Sequence, residues 1–164
     1  MNRILLPVLL GLATIGFSDS DAVGRDEAEA PHSKADRPPR KVIVGTAVFS
    51  PGGDHPGLEA RLEALGGLID EMARQASARG DGRGLDLAIL PETAVTATSG
   101  KARDRAVPLD GPVKSFFGGL ARKHRTYILA PMDLAEQGPR CATFANAAVL
   151  FDRRGEVVGI YRKR

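Results

Sequence analysis

The chain has 164 residues and a formal net charge of +3, so it has room for one domain with a buried core. With 43% hydrophobic and 26% charged residues it is neither a disordered nor a fibrous polymer, and its interspersed charges form no basic stripe, so nucleic acid is not an expected partner. The single cysteine, Cys141, excludes an internal disulfide framework, and no Cys/His cluster has the spacing of a zinc site, so no metal is expected.

Arg3 followed by the apolar run Ile4 to Phe17 has the n-region and h-region of a secretory signal peptide, with small residues at Ser20 and Ala22 for cleavage after Ala22. That run is shorter than the roughly 20 residues that span a bilayer, so residues 1–22 are expected to act as an export signal, leaving no stable membrane span after cleavage. A buried N-terminal helix is the structural alternative. No cysteine follows the run, which argues against a lipid-modified N-terminus. Residues 23–40, with Pro31, Pro38, Pro39 and many charges, have almost nothing to bury and are expected to be a disordered linker.

Folded structure is expected over residues 41–164. Val42 to Phe49 is β-branched and apolar on both faces, as a strand covered on two sides would be. Leu58, Leu62, Leu65, Ile69, Met72 and Ala76 recur at helical spacing with charges between them, predicting an amphipathic helix from about Leu58 to Arg79. Gly80, Gly82 and Gly84 end it, and Leu85 to Leu90 forms a second buried strand stopped by Pro91, so a parallel crossover unit is implied. A polar loop from Thr93 to about Arg105 leads to Asp110-Gly111-Pro112, which can cap a helix whose buried face is Val113, Phe116, Phe117, Leu120 and Ala121. Tyr127 to Met132 is the next strand. Phe144 to Phe151 and Glu156 to Tyr161 form a hairpin around the turn Asp152-Arg153-Arg154-Gly155.

Ligands of α/β sheets bind beyond the C-terminal ends of strands, which draws attention to Glu92 after the second buried strand. A carboxylate there, near apolar walls, can have the raised pKa of a general base, although a glutamate in that place is more often a loop or capping residue. Lys163, at the end of the hairpin, can stabilise an oxyanion, although the cluster Tyr161 to Arg164 also reads as a solvated basic turn. His32, His55 and His124 lie far apart and read as solvated loop or helix-surface residues.

Taken in order, Leu87-Ala88-Ile89-Leu90-Pro91-Glu92, Asn146 to Asp152 and Gly155 to Lys163 resemble the nitrilase, or carbon-nitrogen hydrolase, superfamily. The resemblance runs from Lys41 to Arg164. It implies part of an α-β-β-α sandwich and a Glu-Lys-Cys mechanism, with Glu92 as general base, Lys163 stabilising the tetrahedral species, and a cysteine attacking an amide or nitrile carbon. It implies no organic cofactor or metal, a small-molecule amide or nitrile substrate, and a homo-oligomer.

The family's cysteine follows its lysine in a strand-to-helix turn, a place that falls beyond Arg164. Cys141 precedes Lys163 in a loop, and is expected to be a partly buried bystander. The expectation is therefore the N-terminal part of an exported amidase-like or nitrilase-like enzyme, poorly stable and catalytically silent on its own. The alternative is a noncatalytic binding module of the same fold. An unrelated nucleotide-binding domain would need a Gly-rich phosphate loop after its first strand, and this sequence has none there.

Overall fold

A computed structural model describes residues 8–13, 41–48, 55–80, 82–96, 102–138 and 141–163. The expected linker and His32 lie outside them, as does most of the expected leader. Among the described residues seven strands and three helices follow in the order β1 (Val8–Ala13), β2 (Val42–Ala47), α1 (Leu58–Arg79), β3 (Leu87–Ile89), α2 (Ala102–Arg105), β4 (Val107–Pro108), α3 (Pro112–His124), β5 (Tyr127–Gln137), β6 (Ala142–Phe151) and β7 (Val157–Arg162). They build one sheet in the order β1-β2-β3-β5-β6-β7, with β4 pairing β5 outside that path.

The centre of the sheet is the expected crossover unit. Strands β2, β3 and β5 run parallel, and α1 and α3 make the connections between them. The chain then turns back, so that β5, β6 and β7 form an antiparallel meander. Alternation gives the sheet two faces. Ile43, Ala47, Ala88, Ile128, Ala130, Met132, Ala147, Val149 and Phe151 are buried with Leu65, Ile69, Met72 and Phe117 from the two long helices. A Cβ on Gly45 would lie 3.0 Å from Met72 Sδ, and the Phe117 and Phe151 rings are 5.7 Å apart, so this face lies under α1 and α3. The opposite face carries Val44, Leu87, Ile89, Leu129 and Leu150, all only partly buried. Among the described residues the first run is thus covered by helices on one side, because α1 and α3 lie on the same side.

Four local expectations differ from what forms. The backbone of Val8–Ala13 is extended, pairing antiparallel with β2 from Val8↔Ala47 to Ala13↔Val42, so this part of the expected h-region adds an edge strand and not a buried helix. Asp110 does not cap α3: the cap position is Gly111 at φ 101°, and the Asp110 carboxylate reaches Lys114 instead. β5 continues past Met132 to Gln137, since β6 pairs with it along the whole length, from Ile128↔Phe151 to Gln137↔Ala142. Cys141 is exposed, not partly buried, because it precedes β6 at the open end of that ladder.

The turn of the last hairpin forms as expected. The Asp152 carboxylate accepts the backbone N–H groups of Arg154 (2.8 Å) and Glu156 (2.9 Å), and Gly155 takes φ 81°. Those bonds to the ionised form, led by the one from Glu156, hold the Asp152 carboxyl below its ordinary pKa.

Candidate active site

Glu92 stands in a tight turn just beyond the C-terminal end of β3. Buried Leu90 anchors the entry, donating its N–H to Leu129 O at 3.1 Å, and the turn closes through Ala94 N to Pro91 O and Thr96 N to Thr93 O, each 3.1 Å. Thr93, the next residue, takes φ 53°, a left-handed conformation that costs a β-branched residue roughly 1–3 kcal/mol and persists where surrounding contacts enforce it. Those contacts come from the far end of the turn. Thr96 Oγ1 donates to Asp133 Oδ2 (3.1 Å) and accepts the Asp133 backbone N–H (2.9 Å), while Arg105 donates to the same carboxylate oxygen at 3.0 Å. Asp133 is buried, so the Thr96-Asp133-Arg105 group ties the turn and α2 to β5. His55 adds a tie from the other side. Its Nδ1 accepts the Gly57 N–H, which leaves the proton of the neutral ring on Nε2 to be donated to Val95 O, each contact 3.1 Å.

Lys163 arrives at the same place from the last hairpin. Its main-chain N–H donates to Asn146 O on β6 at 2.8 Å, and its ammonium donates to Glu92 Oε1 at 2.9 Å. Strand alternation sorts the basic cluster. Arg162 pairs in register with Ala147, on the helix-covered face, and its guanidinium engages the Glu136 carboxylate there. Lys163, one residue on, turns to the other face. Asn146 lies on that face too, and its Nδ2 donates to Glu92 Oε1 at 3.0 Å.

The site is open, with the side chains of Glu92 and Lys163 each 61% exposed. This reverses the expected direction for Glu92. The hydrogen bond and charge of Lys163, with a smaller contribution from Asn146, hold its carboxyl below the ordinary range, and burial is too slight to push it up. The same pairing raises Lys163. A charged pair of this kind is a carboxylate ready to accept a proton beside an ammonium ready to face developing negative charge.

The structure does not bring Cys141 to the pair. It is exposed and precedes the first residue of β6, whereas Asn146 lies well inside that strand. His124 is committed elsewhere, to Asp70, and no group of three or more His, Cys, Asp or Glu able to hold a metal ion occurs among the described residues. A groove of about 780 Å³ between α1 and α3, lined by Leu58, Leu62, Pro112 and Phe116, is on the helix side of the sheet and holds none of this chemistry.

Sequence reasoning missed the role of Asn146 as a direct partner of Glu92, and the Thr96-Asp133-Arg105 group. A signal for the first was present: Asn146 interrupts the run of small and apolar residues in Ala142–Phe151.

A parallel strand end and a following hairpin thus bring a carboxylate and an ammonium together on one side of the sheet of an α/β protein. The chain belongs to the carbon-nitrogen hydrolase family, whose profile matches residues 53–164. Solved structures share the fold. A CN-hydrolase superfamily protein from Xanthomonas campestris is 24% identical, with 65% of this chain and 35% of that one covered at a TM-score of 0.51. A carbon-nitrogen hydrolase from Helicobacter pylori is 18% identical, covering 74% and 39% at a TM-score of 0.55. Nit3 of Saccharomyces cerevisiae, a member of branch 10 of the nitrilase superfamily, is 21% identical, covering 72% and 43% at a TM-score of 0.54. The matched region therefore spans about two fifths of the length of these structures. No curated protein matches the chain.

Proposed function

We propose that these residues supply the general base and the oxyanion-stabilising lysine of a hydrolase acting on a small, nonpeptide carbon-nitrogen bond. The observation that carries this is the 2.9 Å contact between Lys163 Nζ and Glu92 Oε1, made by residues 71 positions apart on separate elements. In this scheme Glu92 takes the proton of a cysteine thiol as its sulfur attacks an amide or nitrile carbon. Lys163 meets the negative charge forming on the substrate heteroatom. With an amide, Glu92 then returns the proton to the leaving nitrogen; with a nitrile, the proton goes to the nitrogen of a thioimidate, which one water converts to the acyl-enzyme with release of ammonia. Water then attacks the acyl-enzyme with Glu92 again as base, the C–S bond breaks, and Glu92 gives the proton back to the departing thiolate.

Cys141 is not proposed as the nucleophile, because it is exposed at the open end of the β5–β6 ladder and precedes Lys163; the family resemblance supplies that role as a cysteine in a strand-to-helix turn after the lysine. Residues 1–22 are proposed to export the protein; cleavage would remove β1 and leave β2 as the sheet edge, and N-terminal sequencing of periplasmic or secreted material should begin near Val23. Homo-oligomerisation is proposed on the family resemblance alone.

The test is kinetic. In the intact protein, Glu92→Gln and Lys163→Met should each lower amide turnover by about 10²- to 10⁴-fold with the far-UV spectrum unchanged. Turnover within a few-fold of the parent in either variant refutes the assignment. The noncatalytic alternative rests on the displaced Cys141, and reading the coding frame past Arg164 decides it. A cysteine at a strand-to-helix turn favours the enzyme, and an immediate stop favours the binding module.

A further inference from the structure

We propose that Asn146 is a positioning residue for the Glu92–Lys163 pair, its side-chain amide orienting the carboxylate and its main-chain carbonyl fixing Lys163, so that Glu92 Oε2 is the oxygen left to accept a proton. The last clause rests on the hydrolase assignment, whereas the positioning itself rests on geometry.

Two donors converge on one carboxylate oxygen. Glu92 Oε1 accepts from Lys163 Nζ at 2.9 Å and from Asn146 Nδ2 at 3.0 Å, while Oε2 accepts from none of the described residues. An exposed glutamate and lysine have many rotatable bonds and do not hold one geometry by attraction alone. Asn146 has a short side chain on the middle strand of a meander. Its neighbours on both sides are fixed, Asp133 opposite it on β5 and Arg162 opposite Ala147 on β7. It is therefore the stiff reference in the group. The Lys163 N–H bond to Asn146 O, at 2.8 Å, extends that reference to the first residue after β7, from which the ammonium is aimed.

The choice of a neutral amide matters. An aspartate at this position would oppose the Glu92 charge. A second cation would depress the basicity a proton acceptor needs. The amide donates without titrating, and it fixes the rotation of the carboxylate about its last bond. Other nearby charges are occupied: Arg162 is turned to Glu136 on the helix-covered face, and Asp133 holds Thr96 and Arg105.

The experiment is a carbon-detected NMR titration of the Glu92 side-chain carboxyl in the full chain, comparing the parent with Asn146→Ala and Asn146→Asp. The aspartate variant keeps size and shape, so it serves if the alanine variant loses structure. The Glu92 midpoint should move up in Asn146→Ala and further up in Asn146→Asp, and in the intact protein kcat should fall at nearly constant KM. An unmoved Glu92 midpoint in the folded variants overturns the proposal. Failure of the hydrolase assignment looks different: Glu92→Gln would leave amide turnover intact while the Asn146 variants still shifted the Glu92 titration.

Discussion

At the residue scale, Glu92 and Lys163 became candidates through the order of motifs around them, and the fold places their side chains 2.9 Å apart. The protonation behaviour of Glu92 was not legible. Apolar neighbours in sequence suggested a raised pKa, whereas the ammonium 2.9 Å away lowers it and exposure leaves little desolvation to raise it. A pH dependence follows from the two directions. A depressed carboxyl stabilises the fold above its unfolded pKa, and that contribution is lost as pH falls through the folded value. A raised lysine stabilises below its unfolded pKa, with loss as pH rises through the folded value. The pair is thus intact across neutral pH and weakens at both extremes. Lys163→Met should raise the Glu92 midpoint in an NMR titration, while the thermal midpoint at neutral pH hardly changes, since both groups are largely exposed.

At the element scale, the elements with a strong period were readable and the short ones were not. The spacing of Leu62, Leu65, Ile69, Met72 and Ala76 gives the bounds of α1 as Leu58–Arg79, as found. The four residues of α2 and the two of β4 are too short to show any period, and they exist because β5 and Asp133 hold them. The extension of β5 was hidden by its polar residues Asp133 and Glu136, each of which finds a specific partner. The turn before β7 was legible, but its packing was not. Gly155 at φ 81° lies against Gly118 of α3, so closely that a Cβ on Gly118 would stand 2.7 Å from Gly155 O. This approach seats the hairpin that carries Lys163. Gly155→Ala should destabilise by about 1–3 kcal/mol through the left-handed backbone and the clash with Gly118, measurable as a lower urea midpoint at unchanged slope.

For the whole molecule, among the described residues the two long helices close one face of the sheet, while the middle of the other face is only partly buried. Under α1 and α3 the core is closed, with Leu65, Ile69, Met72, Phe117 and Phe151 inaccessible to solvent. Across the sheet, Thr46, Ile89, Leu129, Leu150 and Gly159 stand in register over five strands, none of them fully buried. Tyr127 and Val42 at one end of that face are exposed outright. The α-β-β-α resemblance anticipates a second sheet against it, and the Glu92–Lys163 site opens toward the same side. An apolar face of this extent draws partners from solution. Residues 23–164 alone should therefore bind a hydrophobic dye and sediment above the monomer mass, and Leu129→Lys with Leu150→Lys should reduce both effects while leaving the helix-side core in place. A parent polypeptide that stayed monomeric and dye-silent would show that this face is already covered by the chain itself, and the two-sheet expectation would lose its physical basis here.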